Sequence, residues 1–214
     1  MRANSIKNIF AGKGQYFIGI FFLGTLWGLN EVLLGEFLYS RDIPQASVSL
    51  TIIALLILAV ARGWQPRPGT ATIIAGIATL FKLFNAAPFT CHLLGIFALG
   101  LTFDLLSFLL LKKDDHQLIR RMALGLLAPV ISNAAFGLFM VFIARYPYWT
   151  GGGWEKILNH TFVTGGLIAL FTFVLVPVGL KAGRRLTVFE NVRPAWIYRG
   201  AFALSLFFWV LSRF

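Results

Sequence analysis

Inside the apolar stretch LWGLNEVLLGEF, residues 26–37, stand Asn30, Glu31 and Glu36. A carboxylate at bilayer depth costs about 2.5 kcal/mol or more on insertion scales, so it normally has a partner or a task. On a helix, Gly24, Gly28, Glu31 and Gly35 are spaced four, three and four apart and share one face. Small residues at that spacing let a neighbouring helix come close, which puts Glu31 on a packed face. A second stretch repeats the design: Ala71, Ala75, Ala78, Lys82 and Asn85 share a face. Glu31 lies about 15 residues into its apolar run and Lys82 about 13. At a rise of about 1.5 Å per residue, both reach roughly 20 Å up a core of about 30 Å. They are expected to meet, either as an ion pair that fixes helix register or as part of a polar ligand site.

A third face, Cys91, Gly95, Ala98 and Thr102, comes next along the chain, with His92 beside it. Trp154, Glu155 and His160 come from a later connector. The polar groups Asn30, Glu31, Glu36, Lys82, Asn85, Cys91, His92, Trp154, Glu155 and His160 thus gather toward one end of the expected bundle. The other end holds chiefly Asp104 and Asn133. A channel or proton relay distributes polar groups through the full depth; a binding site open at one side gathers them there. Each group also has a plainer reading. His92 and His160 fit ordinary span-end residues as well as metal ligands, and Cys91 fits a small packed residue as well as a reactive thiol. Asp104 fits a local pair with Lys112 or Lys113, or a helix-packing role.

These residues need helices to position them, and the composition says where those helices are. The chain has 214 residues, 58% hydrophobic and 13% charged, with a mean hydropathy of +0.79. Soluble domains carry about 25% charged residues, so the class is an all-α integral membrane protein. Apolar segments cover roughly 16–39, 46–62, 69–87, 91–111, 121–144 and 161–180, with a shorter one at 197–212. The expected fold is a single transmembrane domain over 1–214: a core bundle of six helices within 15–185, and a short seventh segment within 196–214. The basic N-terminus leads into an apolar run of about 24 residues, too long for a cleaved signal, and reads as the first span.

Lys and Arg are placed asymmetrically. Fourteen fall at the ends of the spans that face one side and four at the other, with Lys82 inside a span. That is a positive-inside pattern with a cytoplasmic N-terminus. The net charge of +11 is spread over span ends, which argues against nucleic acid as a partner. One cysteine excludes an internal disulfide and a multi-cysteine metal site. P-loop and HExxH patterns are absent, and Asp114–Asp115 lacks diphosphate–magnesium spacing, so nothing in the sequence supports an enzyme. The aromatic, glycine-rich RYPYWTGGGWEKILNH, 145–160, reads either as an interfacial belt or as a lid over a pocket.

The arrangement resembles the substrate-binding S components of energy-coupling-factor vitamin transporters. The resemblance rests on architecture over about residues 15–185, with SRDIPQ, NAAPFT and the YPYWTGGGWEKILN segment as the outer loops. It implies a protein of the inner (cytoplasmic) membrane that captures a vitamin or cofactor precursor from the outer side for uptake. Asn30, Glu31, Lys82, Asn85, Cys91, His92 and Trp154 then line the pocket, and the partners are the lipid bilayer, a coupling transmembrane subunit and ATPases. It further implies docking through small residues, best matched by Gly24, Gly28, Ala71 and Ala75. The cobalamin branch is similar in placing a cysteine where Cys91 stands, a soft ligand suited to the cobalt of a corrinoid; cobalamin is therefore the leading substrate expectation. The rival readings are a membrane metal or redox enzyme using Glu31, His92 and His160, and a structural subunit of a larger membrane complex.

Overall fold

The computed structural model describes residues 2–83, 90–111, 117–188 and 195–211. All regular elements among them are helices. Helix α1 (Arg2–Leu29) passes through a π turn, Asn30–Leu34, into α2 (Gly35–Ser40). The chain reverses in the SRDIPQ turn, where Asp42 and Gln45 adopt left-handed φ angles of 49° and 57°. Helix α3 (Ala46–Trp64) comes after the turn and stops at QPRP, because Pro66 and Pro68 lack amide protons and push the preceding residues out of the helical region. Helices α4 (Thr70–Leu83), α5 (Thr90–Leu110) and α6 (Leu118–Leu138) come next. Helix α6 ends in a second π turn, Phe139–Ile143, and the short helices α7 (Pro147–Thr150) and α8 (Gly153–Leu158) lead to a third, Asn159–Thr164. Pro147 opens α7, where its missing amide proton costs nothing, and Gly153 takes the left-handed φ of 48° between the two short helices. Helices α9 (Gly165–Val188) and α10 (Ala195–Leu211) complete the chain.

Five of these stretches are long and apolar enough to cross a membrane: Gly14–Ser40, Ala46–Trp64, Thr90–Leu110, Leu118–Ile143 and Gly153–Leu186. This is compatible with a multi-pass membrane protein. The expected third span is a 14-residue helix over its described part, and the C-terminal helix is also shorter than the five. The 145–160 connector departs from its reading as a loop. Residues 153–164 are helical and run straight into α9, so the last long span begins about eight residues earlier than 161.

Neighbour contacts close a ring in the order α1, α4, α5, α6, α9, α3 and back to α1, with α10 lying outside against α1. The centre is filled by Ile20, Leu55, Leu58, Ile74, Phe103, Leu124 and Val176, all fully buried. Small residues decide the closest approaches. A Cβ on Gly63 would fall on the Leu180 carbonyl, and one on Gly183 on the Val60 carbonyl, so α3 and α9 touch backbone to backbone. Likewise Gly125 meets the Thr172 carbonyl between α6 and α9, and the Thr172 hydroxyl donates back to the Gly125 carbonyl at 2.6 Å. The last helix is tied on by Trp209, whose indole N–H donates to the Thr25 hydroxyl at 3.0 Å.

Gly24 packs against Ile77, Gly28 against Phe81, and Ala75 against Gly100; Ala71 is buried. The four residues matched to docking on a coupling subunit are therefore used inside the chain. Their faces are covered by α4, α1 and α5, because small residues close helix pairs within a bundle by the same physics as they close subunits.

Candidate ligand-binding chamber

At the end of the bundle that carries Ser40, the helices enclose a cavity of about 500 Å³. Its walls come from α1, the first π turn and α2 (Trp27, Glu31, Tyr39), the start of α3 (Ser47, Leu50, Thr51), α5 (Cys91, His92, Gly95), α6 (Ser132, Asn133, Phe136), α7 and α8 (Tyr148, Trp149, Lys156) and the third π turn (Asn159, His160, Val163, Thr164). Two of the three π turns thus supply wall residues directly. The second contributes indirectly: its buried Met140 carbonyl accepts the Tyr146 amide at 3.0 Å and sets the entry of α7. A π turn widens a helix by one residue and redirects the side chains beyond it, and such turns recur at functional sites.

Glu31 and Lys82 meet, as their spacing predicts. Their side chains pair at 3.4 Å, and Lys82 Nζ also donates to the Glu31 backbone carbonyl at 2.9 Å. An ammonium group inserted at the π turn satisfies a carbonyl where the regular ladder is interrupted. The other Glu31 oxygen accepts the Trp27 indole N–H at 3.2 Å. Glu31 is 9% exposed and Lys82 6%. The carboxylate reaches the wall already neutralised, with Lys82 standing behind it.

The two histidines belong to opposite aromatic clusters. His92 stacks on Tyr39 with centroids 5.5 Å apart and planes at 19°. His160 stands edge-on to Trp149 at 5.1 Å, and Phe136 completes the trio at 5.1 Å from Trp149 and 5.6 Å from His160. Edge-to-face rings at these distances hold one another in place. Glu31, His92 and His160 are each engaged with different neighbours, and no group of three metal-ligating side chains converges among the described residues.

Of the residues expected to line a site, Glu31, Cys91 and His92 are on the wall, and Lys82 supports it from behind. Asn30 is not: its amide donates to the Leu50 carbonyl at 3.5 Å, and it faces a separate apolar groove with Leu26, Leu33 and Ile57. Consecutive residues on a helix point about 100° apart, so Glu31 faces the chamber while Asn30 faces outward. Trp154 is 61% exposed and packs on Phe142, while Trp149, five residues earlier, is 7% exposed and lies on the wall. Asn85 lies outside the described residues. Glu36 and Glu155 are exposed. Asn133, expected at the opposite end, lies on the chamber wall, where its amide donates to the Pro129 carbonyl at 2.9 Å.

Trp27, Tyr39, Phe136 and Lys156 are wall residues that spacing did not single out. Trp27 carried a usable signal, being four residues before Glu31 and hence within side-chain reach on a helix. Phe136 looked like any other apolar span residue. At the opposite end, Asp104 has the packing role expected of it: one carboxylate oxygen accepts both the amide and the hydroxyl of Thr72 at 2.8 Å, joining α5 to α4.

Chemically, the chamber offers aromatic faces and edges, hydroxyls and amides at Ser47, Thr51, Ser132, Asn133 and Asn159, one neutralised carboxylate and one thiol. It can enclose a flat ring and hydrogen-bond its rim. Comparison with known proteins finds no matching family model, no matching curated protein and no matching solved structure.

Proposed function

We propose that the protein captures a small planar ring compound of the vitamin or cofactor-precursor kind and serves its uptake across the inner membrane. The observation that carries this reading is the cavity of about 500 Å³, walled by Trp27, Tyr39, Phe136 and Trp149 and rimmed by amides and hydroxyls. That volume is within the range of small-molecule sites, which pair mostly apolar and aromatic walls with a few placed polar groups. The positive-inside charge pattern supports a cytoplasmic N-terminus and a chamber open to the outside. The resemblance to energy-coupling-factor S components belongs to the same proposal, with ATPase partners supplying energy. A coupling subunit then has to dock elsewhere than on Gly24, Gly28, Ala71 and Ala75, which are covered within the chain.

Cobalamin stays within the proposal because Cys91 puts a soft sulfur ligand on the wall. The volume favours smaller ring compounds, since a corrinoid with its nucleotide tail exceeds a drug-sized molecule. The test is mass spectrometry of what co-purifies with the protein, then equilibrium dialysis against a panel of water-soluble vitamins that includes cobalamin. A bound ring compound whose affinity falls at least tenfold in Trp27→Ala and Trp149→Ala supports the proposal. A protein that is folded, empty and indifferent to the whole panel overturns it.

A further inference from the structure

Among the described residues, the chamber wall carries one charged side chain with no ion-pair partner of opposite sign. Glu31 and Lys82 compensate each other at 3.4 Å. Lys156 lines the same cavity, and no carboxylate of the described residues pairs with it. Any proton on His92 or His160 adds to the same sign.

Lys156 is also held in place. An ammonium group has three donors. One goes to the Tyr148 backbone carbonyl at 2.7 Å. The nitrogen sits 3.0 Å from the centre of the Tyr148 ring and 5.3 Å from that of Trp149. These contacts position the charge without cancelling it, because a carbonyl and two ring faces are neutral partners. The carbonyl takes one donor, and the aromatic trio of Trp149, Phe136 and His160 begins next to the ammonium.

Resting on the ring-capture reading above, we infer that the ligand is an acid: a planar ring bearing a carboxylate or phosphate, with the ring among the aromatic walls and the anionic group on Lys156. A cationic ligand would meet an uncompensated like charge, whereas an anionic group beside the half-buried Lys156 gains a charge attraction that a neutral group lacks.

The experiment uses matched probes that differ only in charge: nicotinate with nicotinamide, and indole-3-acetate with indole-3-acetamide. Binding to the full-length protein in detergent micelles is measured by equilibrium dialysis. The acid of at least one pair is expected to bind about tenfold or more tighter than its amide, the range of one charge-assisted hydrogen bond. Lys156→Gln is expected to erase that preference while keeping amide binding, and Lys156→Arg to retain it. Equal binding of acid and amide overturns the acid assignment and leaves ring capture standing. Loss of both probes alike in Lys156→Gln also overturns it, since Lys156 is then only structural. Failure of all four probes to bind overturns the acid assignment, whereas ring capture stands or falls by the vitamin panel above. Because a lipid phosphate shares the same chemistry, the measurement is repeated with phosphatidylglycerol in the micelles. Persistence of the preference supports a soluble acid, and its disappearance gives Lys156 to a lipid headgroup and overturns the inference.

Discussion

Lys82 approaches the backbone of Glu31 more closely than its carboxylate: Nζ lies 2.9 Å from the carbonyl oxygen and 3.4 Å from Oε2. The contact therefore ties α4 to the π turn of the first span through the main chain as well as through charge. Removing one member of a buried pair leaves an uncompensated charge and costs about 3–5 kcal/mol. Lys82→Met is expected to lower the apparent unfolding temperature in detergent more than Glu31→Gln, because the former loses the carbonyl contact too. The double variant should recover part of the loss. A double variant as unstable as the sum of the singles would show that the pair is not coupled.

The α3–α9 seam makes a sharper prediction. Gly183→Ala puts a methyl group on the Val60 carbonyl, and Gly63→Ala one on the Leu180 carbonyl. Backbone cannot move aside as a side chain can, so each should cost at least about 1–3 kcal/mol. Gly76→Ala is the control: nothing lies within 4 Å of its Cβ position, and on helix propensity it should be neutral or stabilising by up to about 1 kcal/mol. Comparison of the three apparent unfolding temperatures decides it, and equal behaviour would refute the backbone contact.

Asp104 fixes the opposite end of the bundle by accepting two hydrogen bonds from Thr72. Thr72→Val removes the hydroxyl donor but keeps the amide, and should cost about 1–3 kcal/mol through the under-satisfied carboxylate. Asp104→Ala should cost more, since the Thr72 amide also loses its acceptor. Neither should change ligand affinity at the far chamber by more than about twofold. A large affinity change with unaltered stability would assign Asp104 to transport instead.

Cys91 is the chain's single cysteine, half-buried on the chamber wall, so labelling reports one position. In intact cells a membrane-impermeant thiol reagent is expected to label it from outside, and a bound ring compound to slow the labelling at least several-fold. Labelling only after the inner face is opened would reverse the proposed orientation. Labelling unaffected by ligand would place the ligand away from this wall.

The residue pattern by itself contains the apolar helical segments and the meeting of Glu31 with Lys82. Each depends on a local rule: apolar run length, or the 3.6-residue period that sets which side chains share a face. The same rule places Gly24 and Gly28 on a close-packed face. It leaves open the partner on the other side, which is α4 of this chain. The chamber wall needs more. Phe136, Trp149 and His160 stand on successive elements and become one cluster only through the packing of α6, α7 and the third π turn. The π turns themselves have no residue signature, and each changes the face that the helix beyond it presents. Hydropathy and period are properties of a segment. Which segments become neighbours, and where a helix gains one residue in its turn, are settled by the packing of the whole bundle.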